Sequence, residues 1–509
     1  MFHTSLSLST SIAAILSLHV AQAQNSTIFS NPCDALLSTN LSNRILLPSS
    51  PLYEPQVQSY WATNARLHPW CFFLPQTTQE LATAIATLSS INSNGTEDWH
   101  IAVRSGGHSY PGSNNIIKGL TIDFNYMNAS SYNASTKLAS IQPGGRWKNV
   151  YTDLLHTANV TVTGGRDGDV GVAGFLLGGG NSYYSGKNGF ACDTVVNYEV
   201  VLANGTVVQA NAYENGDLYR ALKGGGMNFG IVTRFDVLAM PAVDLAYGQH
   251  VMVADYSNDV IDAVIDFTEH AESTPMDHLF ALYMHSPGSS DVIVAVRVNT
   301  EGNLNTKSFE GITSIPAVKE SWETMSLADA ANASQIASGT MNTGFTLTFL
   351  DDASVMRKAK LLMDGLITTL SARIGPDAFM TQIVYQPLPE YYGVLDQTKG
   401  GNMLGFDRNG GNAILWVAGV GILGDNTTAF AIAEAELMAV VAELKEFTEK
   451  ESKLVEFVYL NYADKSQDPL GSYGPENLAF MREVAARYDP KGWWQRMVPG
   501  GFKLARVGM

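Results

Sequence analysis

The sequence is poor in cysteine and in positive charge, and beyond its first residues it has no long hydrophobic run. It has 31 Lys and Arg against 48 Asp and Glu, which gives a formal net charge of -17. Because binding to phosphate backbones needs clustered cations, no nucleic-acid partner is expected. No later segment reaches the roughly 20 apolar residues of a membrane span, and no internal repeat indicates a solenoid.

What the sequence does have is length, apolar residues and glycine. Its 509 residues are 45% hydrophobic and include 46 glycines. Such a length exceeds one ordinary hydrophobic core and favours two domains. The composition therefore indicates a folded, loop-rich α+β protein rather than a helical bundle or a disordered chain.

The first 23 residues predict a secretory signal peptide. An apolar run from Ile12 to Val20 precedes Ala21-Gln22-Ala23, which places small residues where signal peptidases cleave. The run is too short for a membrane anchor, although no Lys or Arg precedes it. We therefore expect a secreted chain that begins near Gln24 and has no membrane association after signal removal.

Secretion agrees with the glycosylation triplets and gives the cysteines a meaning. Nine Asn-X-Ser/Thr triplets are candidate sites, at Asn25, Asn40, Asn94, Asn128, Asn133, Asn159, Asn204, Asn332 and Asn426. Because an oxidising compartment favours pairing, Cys33 and Cys71 are expected to form a disulfide. Cys192 lies in an apolar, strand-like context and is expected to be a buried free thiol. Three cysteines do not make a metal site, and no metal is expected.

The first half of the chain is predicted to alternate strands and helices. Thr77 and Glu80 form a capping box for a helix over 77–90, and Asn204-Gly205 is a hairpin signal between strands 195–202 and 206–210. The remaining elements are strands at 99–104, 120–124, 138–142 and 229–237 and helices at 147–156 and 217–222.

The second half is predicted to alternate strands with long amphipathic helices. Strands are expected at 279–284, 292–298 and 345–349, and a helix at 427–450. This pattern predicts an antiparallel sheet covered by helices. The last fifty residues, from Leu454 to Leu504, are expected to form a strand, a polar loop and a short helix.

Three glycine-rich turns carry the strongest functional signal. They are Arg104-Ser105-Gly106-Gly107-His108-Ser109, then Val170-Gly171-Val172-Ala173-Gly174 with Gly178-Gly179-Gly180, and Asn228-Phe229-Gly230-Ile231-Val232. Glycine lets backbone N–H groups close on a pyrophosphate, so three such turns in one domain can enclose a dinucleotide. Each turn alone would be an ordinary tight turn.

Together these motifs resemble the berberine-bridge-enzyme-like branch of the FAD-linked oxidases, which share the vanillyl-alcohol-oxidase fold. The resemblance covers about residues 60–504. It implies an α+β, two-domain fold with a PCMH-type FAD-binding domain at 55–242, a substrate domain at 243–455 and a C-terminal segment at 456–509 that returns to the first domain. Residues 24–54 form an N-terminal segment.

The resemblance also implies a cofactor and its contacts. The cofactor is FAD, carried on its 8α-methyl group by His108, the histidine of R-x-G-G-H. Further contacts are expected from Arg104, Ser105, Gly106, Gly107, Ser109, Val170, Gly174, Gly179, Gly180, Gly230, Ile231, Val232 and Asn461.

Two departures from the family pattern change the expected site. Many members form a second covalent link from the cysteine of G-G-x-C, but this chain has Asp167 in that place, and aspartate cannot form a thioether. A single link through His108 is therefore expected. Val170 lies where the family has a residue that controls oxygen access, and valine there resembles members that react readily with O2.

Tyr459-Leu460-Asn461-Tyr462 resembles the Y-x-N-Y segment, in which the second tyrosine faces the substrate as a base. Tyr462 can take a hydroxyl proton only if a nearby cation or hydrogen bonds stabilise its phenolate, and the sequence does not show that cation. A strand residue packed on the sheet is the alternative for Tyr462. Many relatives also have a tyrosine where this chain has Asn181, which leaves the pairing of the base open.

The sequence thus predicts a monomeric, secreted FAD oxidoreductase that takes a small organic substrate and O2 and releases H2O2. Carbohydrates and secondary-metabolite alcohols are both open as substrates. One alternative is a catalytically silent flavin-binding or carbohydrate-binding protein. A nicotinamide dehydrogenase built on Gly419-Val420-Gly421-Ile422-Leu423-Gly424 is a weaker alternative, because no second strand with an acidic residue follows it.

Overall fold

The computed structural model describes residues 31–95, 97–109 and 112–508. The predicted signal peptide and the candidate glycosylation site Asn25 lie outside these residues. Near the start of the described chain, Cys33 and Cys71 form the disulfide that the sequence predicts, with Cα atoms 6.1 Å apart. Cys192 is a buried free thiol, but it lies in a short 3₁₀ helix rather than in a strand.

The first sheet is small, mixed and placed at the start of the chain. Its order is β1-β2-β4-β3, with β4 parallel to both β2 and β3. The strands are β1 (Ile45–Leu46), β2 (Cys71–Phe73), β3 (His100–Arg104) and β4 (Gly119–Asp123). Its helices are α1 (Pro32–Leu37), α2 (Tyr53–Gln58) and α3 (Thr78–Ile91).

A capping interaction sets the start of α3. The Thr77 hydroxyl accepts a hydrogen bond from the Glu80 backbone N–H at 3.1 Å, while the Glu80 carboxylate accepts one from the Gln76 N–H at 2.7 Å. The first bond satisfies one of the donors that a helix start otherwise leaves unpaired, and the second holds the Glu80 side chain against the residue before the cap. The helix then buries Leu81, Ile85 and Leu88 on one face, as their spacing predicts.

The second sheet is built from strands of the glycine-rich region. Its order is β5-β6-β10-β8-β9, and β7 also pairs with β10. The strands are β5 (Ser130–Asn133), β6 (Leu138–Ile141), β7 (Val160–Val162), β8 (Val195–Val201), β9 (Val207–Asn211) and β10 (Ile231–Pro241). The helices here are α4 (Trp147–Ala158), α5 (Val172–Leu177), α6 (Ser185–Asn188) and α7 (Gly216–Leu222).

The third sheet is large, and all of its strand pairs are antiparallel. Its strands are β11 (Leu245–Val253), β12 (Asp277–His285), β13 (Val292–Asn299), β14 (Lys319–Glu320), β15 (Glu323–Met325), β16 (Met341–Leu350), β17 (Phe379–Leu388), β18 (Ala413–Ile422) and β19 (Leu454–Val455). Its helices are α8 (Ser257–His270), α9 (Glu310–Thr313), α10 (Leu327–Ala333), α11 (Ala353–Ile374), α12 (Tyr391–Gln397) and α13 (Thr427–Lys450).

Strand alternation gives this large sheet two different faces. On β12, Leu279 and Tyr283 pack in the apolar core that the sheet shares with α8, α11 and α13. Phe280, one residue out of phase, packs instead against the core of the second sheet. The face of the large sheet opposite its helices therefore packs against the glycine-rich region, so side chains from both can meet at this boundary.

These features confirm an α+β fold with an antiparallel sheet covered by helices. The Gly419–Gly424 motif is not a dinucleotide turn, because residues 419–422 lie inside β18 and pair antiparallel with β16 and β17. A Rossmann turn would need a parallel strand leading directly into a helix. In the described part of the chain no helix combines the length and apolarity needed to cross a bilayer.

The last fifty residues differ from the expectation in detail. The strand there is only β19, and three helices follow it, α14 (Pro469–Ser472), α15 (Pro475–Tyr488) and α16 (Trp493–Met497). Tyr462 lies in a turn between β19 and α14 and not in a strand. The alternative that Tyr462 is a sheet-packing strand residue is therefore wrong.

Candidate active site

The three glycine-rich turns meet in space. The first and second touch backbone to backbone, since a Cβ built on Gly106 would lie 2.5 Å from the Gly171 nitrogen. The Ser105 hydroxyl ties the same two turns, donating to the Pro143 carbonyl at 2.5 Å and accepting from the Ala173 N–H at 3.3 Å. The segment just before the third turn joins the second, because the Gly226 N–H donates to the carbonyl of Leu177 at 3.0 Å.

Several of the predicted glycines are fixed by their backbone conformation. Gly107, Gly179 and Gly180 have φ values of +73°, +106° and +86°, a region that side chains disfavour. A Cβ on Gly180 would also lie 2.6 Å from the Phe175 ring. Gly174 differs, because no atom would lie within 4 Å of its Cβ. Gly174 thus borders open space, where a bound group could approach the backbone.

Arg104 supports the first turn from beneath. Its guanidinium pairs with Asp123 at 3.1 Å, donates to the carbonyls of Gln56 and Ser59, and stacks on the Tyr60 ring at 3.7 Å. These contacts hold the Arg104 side chain beneath Gly107, where it supports the turn. The contact between Arg104 and the cofactor that the sequence predicts stays a prediction.

His108 follows this turn and is held on two sides. Its ring stacks on Trp61 with centroids 4.4 Å apart and planes inclined by 11°. Its Nε2 atom is buried, has no hydrogen-bond partner among the described residues, and lies 3.7 Å from the Asp167 carboxylate. Burial lowers the pKa of His108, so the ring is neutral near pH 7. A neutral imidazole keeps a lone pair for bond formation.

A second set of polar side chains lies around Tyr462. Arg166 donates to the Tyr462 phenol oxygen at 2.8 Å and to the Gln386 amide oxygen at 2.5 Å. The Tyr462 hydroxyl also lies 3.4 Å from that amide oxygen. Arg166 comes from the segment just before the second glycine turn, Gln386 from β17 and Tyr462 from the C-terminal segment, so three distant parts of the chain meet here.

His278 on β12 completes this set. Its Nε2 accepts a hydrogen bond from Arg166 at 3.1 Å. Burial and the neighbouring guanidinium hold the pKa of His278 well below its usual range, so the ring is neutral and accepts. Phe280 lies beneath the guanidinium, 4.9 Å from ring centre to carbon. Arg166 is therefore the positive charge of the set and is oriented from three sides.

Tyr459 and Asn461 connect the C-terminal turn to the glycine-rich region. The Tyr459 hydroxyl accepts from the Asn181 backbone N–H at 2.7 Å and from the Asn461 amide at 3.0 Å. Asn461 also donates to the Phe175 carbonyl at 3.0 Å. The side-chain amide of Asn181 is buried, and both of its polar atoms lack a partner among the described residues.

These observations fit a bound dinucleotide. Buried polar atoms without partners are rare in folded proteins, and here they occur at His108 and Asn181 beside the glycine turns. The backbone contact at Gly106 and the open space at Gly174 give the cradle that a pyrophosphate and its sugar need. Among the described residues, no cluster of three His, Cys, Asp or Glu could hold a metal ion.

The remaining predicted residues lie around this cradle. Ile231 and Val232 are buried at the start of β10, and Gly230 before them is in close contact with β8. Val170 is half-buried in the second turn, and Ser109 is exposed after His108. Their contacts with a cofactor stay predictions.

Sequence reasoning missed three residues of the Tyr462 set. His278 and Gln386 lie in apolar strands, where nothing in the local pattern distinguishes them from structural polar residues. Arg166 stands directly before Asp167, within the Gly164-Gly165-Arg166-Asp167 motif that the sequence analysis compared with G-G-x-C. A positively charged residue in that motif was the signal that could have identified it. Arg166 is the cation that contacts Tyr462 directly.

Comparison with known proteins agrees with this geometry. Residues 69–211 match the family model of an FAD binding domain. The chain is 33% identical to the FAD-dependent monooxygenase sdcF of Emericella nidulans over 93% of its length and 98% of that protein. It is 32% identical to the FAD-dependent monooxygenase drtC of Aspergillus calidoustus, covering 93% of this chain and 90% of that protein.

Solved structures resemble the chain in fold. A variant of Physcomitrella patens BBE-like 1 has a TM-score of 0.71 at 18% identity, covering 91% of this chain and 97% of that one. Glucooligosaccharide oxidase from Acremonium strictum, described with a 6-S-cysteinyl, 8α-N1-histidyl FAD, has a TM-score of 0.70 at 18% identity. It covers 91% of this chain and 98% of its own.

Proposed function

We propose that this chain is an oxidase acting on an alcohol group of a small molecule. It belongs to the family of FAD-dependent oxidoreductases that includes the FAD-dependent monooxygenase sdcF, and it shares the fold of the berberine bridge enzyme and its relatives. Bound FAD supplies the hydride acceptor, and O2 takes the electrons from it with release of H2O2. The protein supplies the base, the binding of both partners and the exclusion of water.

The contact between Arg166 and Tyr462 carries this proposal. Oxidation of an alcohol requires the hydroxyl proton to leave as the hydride leaves the neighbouring carbon. The guanidinium 2.8 Å from the Tyr462 oxygen places a positive charge beside the atom that would take that proton. Gln386 accepts from Arg166 and keeps it directed at the phenol oxygen. Neutral His278 accepts from the other guanidinium nitrogen and adds no competing charge.

The cofactor is proposed to be held covalently by His108 alone. The buried Nε2 atom of His108, which has no hydrogen-bond partner among the described residues, supports this assignment, and so does the histidyl FAD described for glucooligosaccharide oxidase. Asp167 stands in place of the cysteine and has no sulfur for a second bond. The glycine turns around Gly106, Gly171 and Gly226 would hold the pyrophosphate and sugar by backbone N–H groups.

The substrate is proposed to be a small organic alcohol, with sugars and secondary-metabolite alcohols as the two classes to compare. The oligosaccharide oxidases share only the fold at 17–18% identity, so they give no preference for sugars. The curated relatives are named as monooxygenases, which raises a second outcome, insertion of an oxygen atom into the substrate. Val170, in the second glycine turn, is proposed to allow O2 to reach the flavin whether the enzyme is an oxidase or a monooxygenase.

One experiment separates the two outcomes. Purified enzyme is given a panel of sugars and aromatic or aliphatic alcohols under ¹⁸O2, with and without NADPH as the electron donor that a monooxygenase needs, and oxygen uptake, peroxide and product mass are followed. An oxidase gives one peroxide per O2 and no ¹⁸O in the product, whereas a monooxygenase gives labelled product. Tyr462→Phe should lower turnover about 10²-fold or more, while Tyr213→Phe, at a fully exposed tyrosine, should not.

If neither product nor peroxide forms with any substrate, and flavin is nevertheless bound, a silent flavin-binding protein is favoured instead.

Secretion is also proposed. The asparagines of the eight triplets within the described residues are all exposed, as glycan attachment requires. Its test is the mass of the exported protein before and after glycan removal.

A further inference from the structure

The strongest unused feature of the site is the carboxylate beside His108. Asp167 occupies the position of the missing thioether cysteine, and its side chain is fixed by two backbone donors. Oδ1 accepts from the Asp169 N–H at 2.8 Å and Oδ2 accepts from the Ile336 N–H at 2.9 Å. Such a carboxylate has a defined direction, and Oδ2 lies 3.7 Å from His108 Nε2.

The histidine ring is equally constrained. Trp61 covers one face of the imidazole, and Trp61 is itself anchored, because its N–H donates to the Gly107 carbonyl and its indole donates to the Ala337 carbonyl. The ring therefore keeps Nε2 directed to Asp167. The other nitrogen, Nδ1, is the one left for a bond to a ligand.

We propose that Asp167 is a positioning residue for flavin attachment, which holds the proton of His108 on Nε2 and leaves Nδ1 as the nucleophile. This inference rests on the proposed histidyl link. A carboxylate beside one imidazole nitrogen favours the tautomer with the proton on that nitrogen. At 3.7 Å the pair is at ion-pair distance, and a small ring movement gives a hydrogen bond.

The bond-forming step shows why a carboxylate is needed here. A C–H bond of the 8α-methyl group breaks and a C–N bond to Nδ1 forms. The C–H proton leaves, its electron pair stays with the flavin, and O2 takes that pair. As Nδ1 becomes alkylated, Nε2 releases its proton to Asp167, so FAD, His108 and O2 give histidyl-FAD and H2O2.

During attachment, alkylation of Nδ1 makes the ring a cation for as long as the proton stays on Nε2. An unpaired buried charge is strongly unfavourable, and a carboxylate next to Nε2 removes this penalty. The other charged groups near His108 cannot compensate the positive charge of the alkylated ring. Arg146 carries the same sign as the imidazolium, and Asp169 is paired with Lys148 at 2.6 Å. Asp167 is therefore the acidic group that the geometry directs to the ring.

The proposal also explains the departure from the doubly linked relatives. A cysteine at position 167 would add a second bond to the flavin but could not balance charge on His108 as a neutral thioether. An aspartate at this position cannot form the second bond to the flavin, but it assists formation of the bond between the flavin and His108. The segment that follows α10 contributes to this arrangement, since Ile336 orients the carboxylate.

The test measures attached flavin rather than activity. Wild type, Asp167→Asn, Asp167→Glu, Asp169→Asn and His108→Ala are purified, bound flavin is measured in native protein, and the acid-precipitable fraction is followed over time with added FAD under air. We expect complete attachment in wild type and Asp169→Asn and none in His108→Ala. Attachment should slow about 10²-fold in Asp167→Asn and largely recover in Asp167→Glu.

Attachment at the wild-type rate in an Asp167→Asn protein that binds FAD would overturn the proposal. If that variant fails to bind FAD, Asp167→Ala with and without formate replaces it. Restored attachment supports the proposal, and no response to formate overturns it. Acid-labile flavin in the wild type would instead refute the covalent link itself, so the two failures are distinguishable.

The attachment atom gives an independent readout. NMR of the flavin peptide released by proteolysis distinguishes a bond at Nδ1 from one at Nε2. The geometry predicts Nδ1, because Nε2 faces Asp167. A bond at Nε2 would contradict the proposed arrangement.

Discussion

The Arg166 guanidinium donates a hydrogen bond to the Tyr462 phenol oxygen across 2.8 Å, although 296 residues of sequence separate them. Arg166 stands next to Asp167, whose carboxylate faces His108. Two adjacent residues thus contact the two side chains that we propose as the substrate base and the flavin anchor. A change in this turn can therefore affect cofactor attachment and catalysis independently.

Replacing Arg166 should affect turnover more than cofactor binding. Arg166→Met removes the positive charge that contacts the Tyr462 oxygen, so proton transfer to that oxygen should slow and kcat should fall about 10²-fold or more. Arg166→Lys keeps a charge but loses the forked geometry and should be intermediate. Stopped-flow reduction of the flavin across pH 6 to 10 measures this. Unchanged rates in Arg166→Met with full flavin content would exclude the assigned role.

Gly174 provides a test of the cofactor cradle that does not depend on activity. Alanine at this position, inside α5 and facing open space, should leave the fold intact and raise helix propensity by about 0.5–1 kcal/mol. If the cofactor passes there, FAD content should fall.

Gly365→Ala is the matched control, since it also faces open space within α11. Flavin absorbance per chain and circular dichroism are the measurements. Full FAD occupancy in Gly174→Ala would show that the cofactor does not approach that backbone.

The three cysteines should differ sharply in reactivity. Burial raises the pKa of the Cys192 thiol well above its usual range, so the native protein should not react with iodoacetamide. After unfolding without reductant, one thiol per chain should be alkylated, and after reduction three. Intact mass reports each count. More than one reactive thiol in the unreduced, unfolded chain would contradict the bond between Cys33 and Cys71.

Asp396 should make the protein less stable at neutral and alkaline pH. Burial, with the nearby Asp193 charge, raises the pKa of Asp396 to about 7. The unfolded chain has an ordinary carboxyl pKa near 4. Between those values the folded state binds more protons, so stability falls as pH rises from about 4 to 7.

Asp396→Asn should therefore raise Tm by about 2 °C at pH 8, and this gain should disappear near pH 4. Asp377→Asn, at an exposed carboxylate, serves as the control. Thermal unfolding followed by tryptophan fluorescence at both pH values is sufficient. An equal gain at pH 4 would point to a packing effect instead of a charge effect.

Local signals predicted many elements closely. The capping box at Thr77 gave the start of α3, and the Asn204-Gly205 turn gave the β8–β9 hairpin. The helix Thr427–Lys450 was predicted at both ends, because a regular apolar face is a property of neighbouring residues. The C-terminal segment was predicted less well, because its turns and helices are held by contacts with distant parts of the chain.

The sequence by itself determined the secondary structure of the regular regions, the glycine turns and the histidine that ends the first of them. These features depend on backbone freedom and on residues within a few positions of one another. Only the tertiary structure decided what surrounds Tyr462 and His108. Arg166, His278 and Gln386 belong to separate elements, and the packing of the large sheet against the glycine-rich region brings their charges together. Charge and hydrogen bonding act over a few ångströms in space, whatever the separation along the chain.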